Sequence, residues 1–120
     1  HSRRVLTTLA RSASLWERRI AMVATYQLIK RGQSADAVRI ARILLNDQHD
    51  LIHKAVGWML REVGKRVSLP AERAFLDRYS LRMPRTMLRY AIERLPERER
   101  LAYLRVGAHS QVKFEKHVQP

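Results

Sequence analysis

The positions at which long helical segments begin constrain this chain more than any other feature. Segments with helical periodicity start near residues 15, 50 and 84, so successive starts lie about 35 residues apart. A shorter helical segment separates each long segment from the next. One such pair of helices cannot bury its own apolar face, and neighbouring pairs therefore stack on one another. The spacing predicts an all-α fold built from paired-helix repeats.

Capping residues and prolines set the predicted helix boundaries. The serines at 12 and 14 offer an N-cap for the helix that begins at Leu15, and Gly32 is placed to end it. Asp50 is predicted to cap the central helix. The predicted helices are 3–11, 15–31, 34–46, 50–66, 70–79 and 84–95, with a last helix from residue 96. Residues 1–106 are predicted to form one repeat domain, and residues 107–120 a flexible basic tail.

The net charge indicates the kind of partner. The 120 residues contain 24 Lys and Arg against 11 Asp and Glu, which gives +13, and 46% of the residues are apolar, enough to form a core. The three long segments together carry +7 and the shorter segments that follow them +2, so one helix set is predicted to line a basic surface. Such a surface favours a polyanion, above all nucleic acid. An arginine-rich composition also occurs in proteins without such a partner, and this alternative stays open.

The same composition excludes several functional classes. Without Cys there is no disulfide framework, thiolate nucleophile or Cys-ligated zinc. The longest apolar run, residues 20–24, is too short to span a bilayer, and the four glycines form no phosphate-binding loop. We therefore expect a cytoplasmic protein that needs no cofactor and has no membrane span.

The central segment has the clearest pattern. Trp58 lies among Lys54, Arg61 and Lys65 on one helix face, which indicates a contact with nucleic acid. The structural alternative is packing of Trp58 against a neighbouring helix, or a cation–π contact with Lys54 or Arg61. Gly57 in the helix interior indicates close approach of another helix or of a ligand. The opposite face is predicted to be a buried stripe composed of Ile52, Ala55, Val56, Met59, Leu60 and Val63.

Two other segments carry candidate contacts. Arg18 and Arg19 oppose the helix dipole in the first turns of the segment 15–31, so they are candidates for contact with a partner, with ordinary surface ion pairs as the alternative. Arg85 and Arg89 flank the apolar stripe of the last long segment and are candidate phosphate contacts, with a solvated role as the alternative. The segment 15–31 is also predicted to be buried on two sides, by Trp16, Ile20, Val23, Ala24 and Leu28 on one and Met22 and Ile29 on the other.

Two features imitate chemistry that we do not expect. His49 and His53 have the i, i+4 spacing of a zinc motif, but with Asp50 as the N-cap His49 lies outside the helix, and no third ligand is evident. We therefore predict no metal site. Glu62 is expected to pair with Arg66 one turn later rather than to act in catalysis. Core or boundary positions are predicted for Tyr26, Tyr79, Tyr90 and Tyr103.

Three segments resemble the AlkD-like family of DNA alkylation repair enzymes. They are LWERRIAMVAT at 15–25, HDLIHKAVGWMLREVGKR at 49–66 and MPRTMLRYAIERLP at 83–96. The resemblance extends over about residues 5–104 with the helix spacing intact, and the middle segment is specific.

The resemblance implies a right-handed α-α superhelix of HEAT-like repeats, a solenoid fragment whose concave basic face holds duplex DNA that carries alkylated bases. It implies a glycosylase that releases N3- and N7-alkylated purines. Arg19 matches the arginine expected to bind the DNA backbone near the lesion, and Trp58 matches the tryptophan that lies against the damaged nucleotide. Our own phosphate-binding candidates beside these two residues are Arg18, Lys54, Arg61, Lys65, Arg85 and Arg89.

One departure from the family pattern affects the expected activity. The family's catalytic aspartate belongs to a Trp-Asp segment that precedes the matching region, so we expect it upstream of His1 and no catalytic residue in this chain. We therefore expect the C-terminal, DNA-binding half of a longer, nucleoid-associated enzyme that is inactive by itself. It should need no protein partner and should self-associate through its exposed end. The alternative from another class is a non-catalytic helical-repeat scaffold that binds nucleic acid or protein.

Overall fold

The computed structural model describes residues 2–105, all of whose regular elements are helical. The predicted tail 107–120 lies outside this range, as does the last residue of the predicted repeat domain. The all-α prediction is thereby confirmed for the described part of the chain. The helices are α1 (Ser2–Ala10), α2 (Leu15–Lys30), α3 (Ala35–Ile43), α4 (Asp50–Arg66), α5 (Leu69–Tyr79) and α6 (Arg85–Ile92), with a 3₁₀ turn at Ser80–Arg82 and a final helix, α7, at 97–105.

The helices α2, α4 and α6 pack side by side in chain order. α4 lies at the centre, between α2 and α6, and it also contacts α3 and α5. α2 contacts α1 and α3 in turn. The body measures 47 × 33 × 19 Å, and its smallest dimension corresponds to about two helix diameters. This arrangement is consistent with stacked helix pairs; the superhelix and its right-handed sense stay predictions.

Most helix starts and stops follow the capping residues. The Ser14 hydroxyl accepts a hydrogen bond from the Glu17 amide, and Ser68 caps α5 in the same way. Gly32, with φ of +82°, ends α2 in the left-handed conformation. The predicted range of α4 is confirmed, but its predicted cap was wrong, because His49 is the N-cap and Asp50 is the first helical residue. His49 Nδ1 accepts a hydrogen bond from the Leu51 amide at 3.1 Å.

Two helices are shorter than predicted. α3 ends at Ile43 rather than near Asn46, and α6 ends at Ile92 rather than at Leu95. Residues just beyond both ends remain buried, namely Leu44, Leu45 and Leu95. The apolar pattern therefore continues into the following turns, since it reports burial rather than helical hydrogen bonding.

The core stripe of α4 is confirmed, because each of its six residues is buried. Gly57 explains how closely α6 approaches. A Cβ atom at Gly57 would lie 2.5 Å from the Tyr90 Cβ and 2.6 Å from the Met87 carbonyl oxygen. The close approach indicated by this glycine is therefore that of a helix, and Gly57 lets α4 and α6 pack backbone against backbone.

The predicted burial of α2 is confirmed on the side of Met22 and Ile29 but was wrong on the side of Trp16. Trp16 and Ile20 are 62% and 54% exposed, and Ala24 is exposed as well. The buried residues of α2 include Thr25, whose hydroxyl donates to the Met22 carbonyl oxygen at 2.6 Å. Because this bond satisfies the hydroxyl, a threonine occupies the core face, where hydropathy alone predicts solvent. None of the helices in the described range is long and apolar enough to cross a membrane.

Candidate nucleic-acid interface

The helices α2, α4 and α6 contribute to one surface on the side opposite the core stripe of α4. Trp58 and its neighbouring cations occupy the centre of this surface. On one side Trp58 contacts Tyr26 of α2, and on the other Arg61 forms an ion pair with Glu93, just after α6. We call this surface the α2–α4–α6 face. Contacts place Tyr26, Lys30, Trp58 and Arg61 in it, helical spacing adds Arg19, Lys54 and Lys65, and Arg89 of α6 is included as a predicted member.

An aromatic pair joins α2 to α4. The ring centroids of Tyr26 and Trp58 are 5.8 Å apart, and the rings are tilted by 41°. Both side chains are partly buried and pack against the core. The packing alternative for Trp58 is therefore confirmed, and the cation–π alternative with Lys54 or Arg61 is not found among the described contacts. Packing on one side leaves part of the indole exposed.

Two cations contact the ring of Tyr26. Lys30 Nζ lies 4.9 Å from the ring centroid, and the Arg66 guanidinium carbon lies 5.4 Å from it. Arg66 also donates a hydrogen bond to Glu62 at 2.8 Å, so the predicted Glu62–Arg66 pair is confirmed. This hydrogen bond is the main cause that raises the pKa of Arg66. Glu62 is only 5% exposed and thus anchors the guanidinium in the protein.

The other cations of the face differ in how they are paired. Lys54 lies 3.3 Å from Asp50, and Arg61 pairs with Glu93 as well as lying 3.8 Å from Glu62. The Lys54–Asp50 pair is exposed and therefore weak, so Lys54 can exchange its carboxylate for a phosphate, whereas the Arg61 side chain is only 21% exposed. Within residues 3–105, no carboxylate lies within 4.0 Å of three further cations, and these are Arg19, Lys65 and Arg89.

Two predicted phosphate contacts point away from this face. Arg18 donates to Asp47 at 2.7 Å and to two backbone carbonyl oxygens that precede α2. For this residue, the ion-pair alternative is what the structure contains. Arg85 donates to the carbonyl oxygen of Leu104 in α7 at 2.9 Å. Both guanidinium groups thus tie elements of the fold together.

Both histidines near the start of α4 form hydrogen bonds with backbone groups. His49 accepts from the Leu51 amide, and His53 Nε2 donates to the Asp47 carbonyl oxygen in the tautomer that this contact requires. The two imidazoles therefore act as a cap and a loop anchor. In the part of the chain with described coordinates, no group of three or more metal-ligating side chains comes together.

A separate recess lies between the end of α5 and α7, lined in part by Arg73, Asp77 and Tyr103. It has a volume of about 560 Å³. Its charged side chains are already engaged with neighbours: Arg73 makes two hydrogen bonds to Glu99, at 2.7 and 3.1 Å, and Tyr103 donates to Asp77 at 2.6 Å. This mutual pairing gives the recess little capacity to bind a charged ligand, so the α2–α4–α6 face is the stronger candidate site.

Sequence reasoning missed Tyr26 and Lys30 as members of the face. Tyr26 was expected only at the core or its boundary, which is where part of its ring lies. A signal was available, because Arg19, Tyr26 and Lys30 are spaced seven and four residues apart and so share one face of α2. The contact with Trp58 joins residues 32 positions apart in sequence, and periodicity within one helix carries no information about it.

Comparison with known proteins identifies the family of the chain. A model of the family described as DNA alkylation repair enzyme matches residues 1–95. No curated protein and no solved structure matches the chain. The matched region contains α1 to α6 and every residue of the α2–α4–α6 face. The chain therefore belongs to the DNA alkylation repair enzyme family, as its AlkD-like segments predict.

Proposed function

We propose that the α2–α4–α6 face binds duplex DNA with alkylated bases, as the DNA-binding part of a glycosylase that releases N3- and N7-alkylated purines. One observation carries the proposal: in a chain of this repair family, a partly exposed Trp58 is packed on Tyr26 at the centre of a basic surface. Arg19, Lys65 and Arg89 make no ion pair among the described residues and are proposed as cations available to phosphates.

The chemistry of alkylated purines suits such a surface. Alkylation at N3 or N7 makes the base a cation and a good leaving group. The electron-rich face of an indole attracts a cation, so the exposed part of Trp58 favours the damaged nucleotide over an undamaged one. Arg19 would hold the backbone near the lesion, with Lys54, Arg61, Lys65 and Arg89 as further phosphate contacts.

This chain is proposed to supply binding rather than the catalytic carboxylate. The acidic side chains next to the face are Asp50, Glu62 and Glu93, and each pairs with a lysine or arginine. A carboxylate held by a cation is poorly suited to stabilise positive charge that develops on the sugar. The AlkD-like resemblance supports the proposal that the catalytic aspartate is not among the carboxylates of this chain.

Salt-dependent binding tests the face directly. Affinity for a labelled duplex should fall steeply between about 50 and 200 mM salt, because phosphate contacts release counterions. Arg19→Ala should reduce the slope of log affinity against log salt by about one. Arg42→Ala, on the exposed side of α3, is the matched control and should leave the slope unchanged. A shallow salt dependence of the unmodified chain would rule out the basic face as the binding surface.

Damage recognition needs a second experiment. Base release from a duplex with N7-methylguanine should be measured for this chain and for its intact reading frame. In the intact protein, Trp58→Ala should abolish release while hardly changing affinity for undamaged duplex. If the intact protein releases the base equally well with and without Trp58→Ala, the role of Trp58 is refuted. Binding without any release would favour the non-catalytic scaffold.

A further inference from the structure

The two rings of the aromatic pair are not equivalent. Tyr26 has Lys30 and Arg66 over its ring, at 4.9 and 5.4 Å from the centroid. Among the described residues, no cation lies over the ring of Trp58. A ring already in contact with two cations has little remaining attraction for a third, because both draw on the same π electrons. Tyr26 is thus poorly suited to bind a cationic base, whereas Trp58 keeps its π face available.

One of the two cations on Tyr26, the Arg66 guanidinium, is itself held in place by a hydrogen bond. Glu62 is 5% exposed and accepts a hydrogen bond from Arg66 at 2.8 Å. Glu62 and Arg66 lie one turn apart on α4, while Tyr26 and Lys30 lie one turn apart on α2. Contacts therefore connect the buried Glu62 carboxylate to Arg66, Arg66 to Tyr26, and Tyr26 to Trp58. They join α2 to α4, the helix that carries the indole.

We propose that the contacts of Tyr26 with Lys30 and Arg66, which we call the clamp, make Tyr26 a positioning residue that holds the Trp58 indole at a fixed angle on the α2–α4–α6 face. The clamp limits rotation of Tyr26, and the tilted contact at 5.8 Å passes that constraint to Trp58. The benefit for damage recognition rests on the proposed function of Trp58. The clamp itself is a property of the free protein and can be measured without DNA.

The test uses tryptophan fluorescence. The chain has two tryptophans, so Trp16→Phe makes Trp58 the single reporter. Tyr26→Leu in this background should increase acrylamide quenching of Trp58 and shift its emission to longer wavelength. Tyr26→Phe keeps the ring and should restore most of the native signal. Arg66→Gln removes the fixed cation from an exposed position and should raise quenching to a smaller extent.

Tyr79 offers a matched control. Its ring also lies beneath two arginines, Arg78 and Arg82, but its aromatic neighbour is Phe75. Tyr79→Leu should therefore leave the quenching of Trp58 unchanged. The proposal is overturned if Tyr26→Leu has native helicity by circular dichroism and acrylamide quenches Trp58 in it to the same extent as in the parent. If Tyr26→Leu does not fold, unchanged quenching in Arg66→Gln overturns the clamp.

A DNA arm separates this inference from the proposed function. Loss of the aromatic pair should reduce discrimination between N7-methylguanine duplex and undamaged duplex by roughly two- to tenfold. Increased quenching together with reduced discrimination supports both proposals. Increased quenching with unchanged discrimination supports the clamp and contradicts the role of Trp58 in damage recognition. Unchanged quenching overturns the clamp whatever the discrimination.

Discussion

The surroundings of the two tryptophans differ in a way that their sequence contexts do not reveal. Trp16 lies in the first turn of α2 in an apolar pattern that predicts burial, yet it is 62% exposed. Trp58 lies among cations on the polar face of α4, yet part of its ring is packed on Tyr26. The contrast teaches that periodicity identifies which residues share a face, whereas a neighbouring helix decides whether that face is covered.

The neighbourhood of Trp58 is held by several independent contacts. Gly57 lets α6 approach on one side, and the Glu62–Arg66 pair supports Tyr26 on the other. The start of α2 depends mainly on the Ser14 cap and on Arg18, which anchors it to Asp47. Substitutions in the middle of α4 should therefore have larger effects than substitutions near Trp16, and the following predictions test that difference.

The largest effect is expected at Gly57. In Gly57→Ala the added Cβ would overlap the Tyr90 Cβ and the Met87 carbonyl oxygen, at 2.5 and 2.6 Å. Because one of these atoms belongs to the backbone, α4 and α6 must move apart, at an expected cost of about 3 kcal/mol in the free energy of unfolding. Urea denaturation measures this cost. A loss below about 1 kcal/mol would show that the helix contact is not tight.

The next effect concerns Glu72, which packs on Gly64 of α4. Its side chain is buried, its Oε2 has no hydrogen-bond partner, and burial raises its pKa to about 8. The opposing effects of Arg73 and Arg61 are smaller, and Glu99 adds to the rise. In the unfolded chain the carboxyl ionises near pH 4, at roughly its reference value. The free energy of unfolding should therefore be greatest below that pH and fall as the pH rises to about 8.

Glu72→Gln should remove most of this pH dependence and stabilise the fold at pH 8 by about 2 kcal/mol, because no carboxylate remains to be ionised. Thermal unfolding between pH 5 and 9 measures the change. Glu62→Gln is the contrasting variant. It should destabilise the fold at pH 8, since Arg66 loses its charged partner. An unaltered pH profile in Glu72→Gln would assign the dependence to another group.

An effect of intermediate size on the free energy of unfolding is expected at the two tryptophans, which can be compared directly. Trp58→Ala should lower the free energy of unfolding by about 1.5 kcal/mol, because it removes the contact with Tyr26 and part of the cover over the core. Trp16→Ala should change it by less than about 0.5 kcal/mol. Equal losses in chemical denaturation would mean that the exposed ring of Trp16 has a partner in solution, such as a second copy of the chain.

The smallest effect is expected at the start of α2. The Ser14 hydroxyl accepts from the Glu17 amide, whereas Ser34 occupies the N-cap of α3 without a side-chain hydrogen bond. Ser14→Ala should therefore cost about 1 kcal/mol, and Ser34→Ala only a few tenths. The two melting temperatures, measured in parallel, test whether the Ser14 bond contributes to stability. A larger loss in Ser34→Ala would contradict the assigned caps.

The sequence predicted features that depend on one helix and failed where a second helix decides. The core stripe of α4 and the Glu62–Arg66 pair follow from spacing within that helix, and both are confirmed. The burial of Trp16 was wrong because the core face of α2 is built around Thr25, whose polarity is satisfied locally. His49 replaced Asp50 as the cap, and its ring nitrogen accepts from the Leu51 amide, two residues later, as the side-chain oxygen of an ordinary N-cap does.

The candidate site was predictable to a similar extent. Trp58 and the cations around it share a face through helical spacing alone. The roles of Arg18 and Arg85 within the fold depend on Asp47 and Leu104, partners 29 and 19 residues away along the chain. Tyr26 was missed for the same reason, since its importance lies in a contact between helices.

The most direct test of the account is the emission of Trp58 when the chain binds DNA. In the Trp16→Phe background, a duplex with N7-methylguanine is titrated beside the same duplex without damage at low salt. The account predicts that both duplexes alter the emission of Trp58 and that the damaged duplex alters it more strongly at saturation. Salt-sensitive binding of both duplexes with unchanged Trp58 emission would contradict the claim that the α2–α4–α6 face binds the lesion.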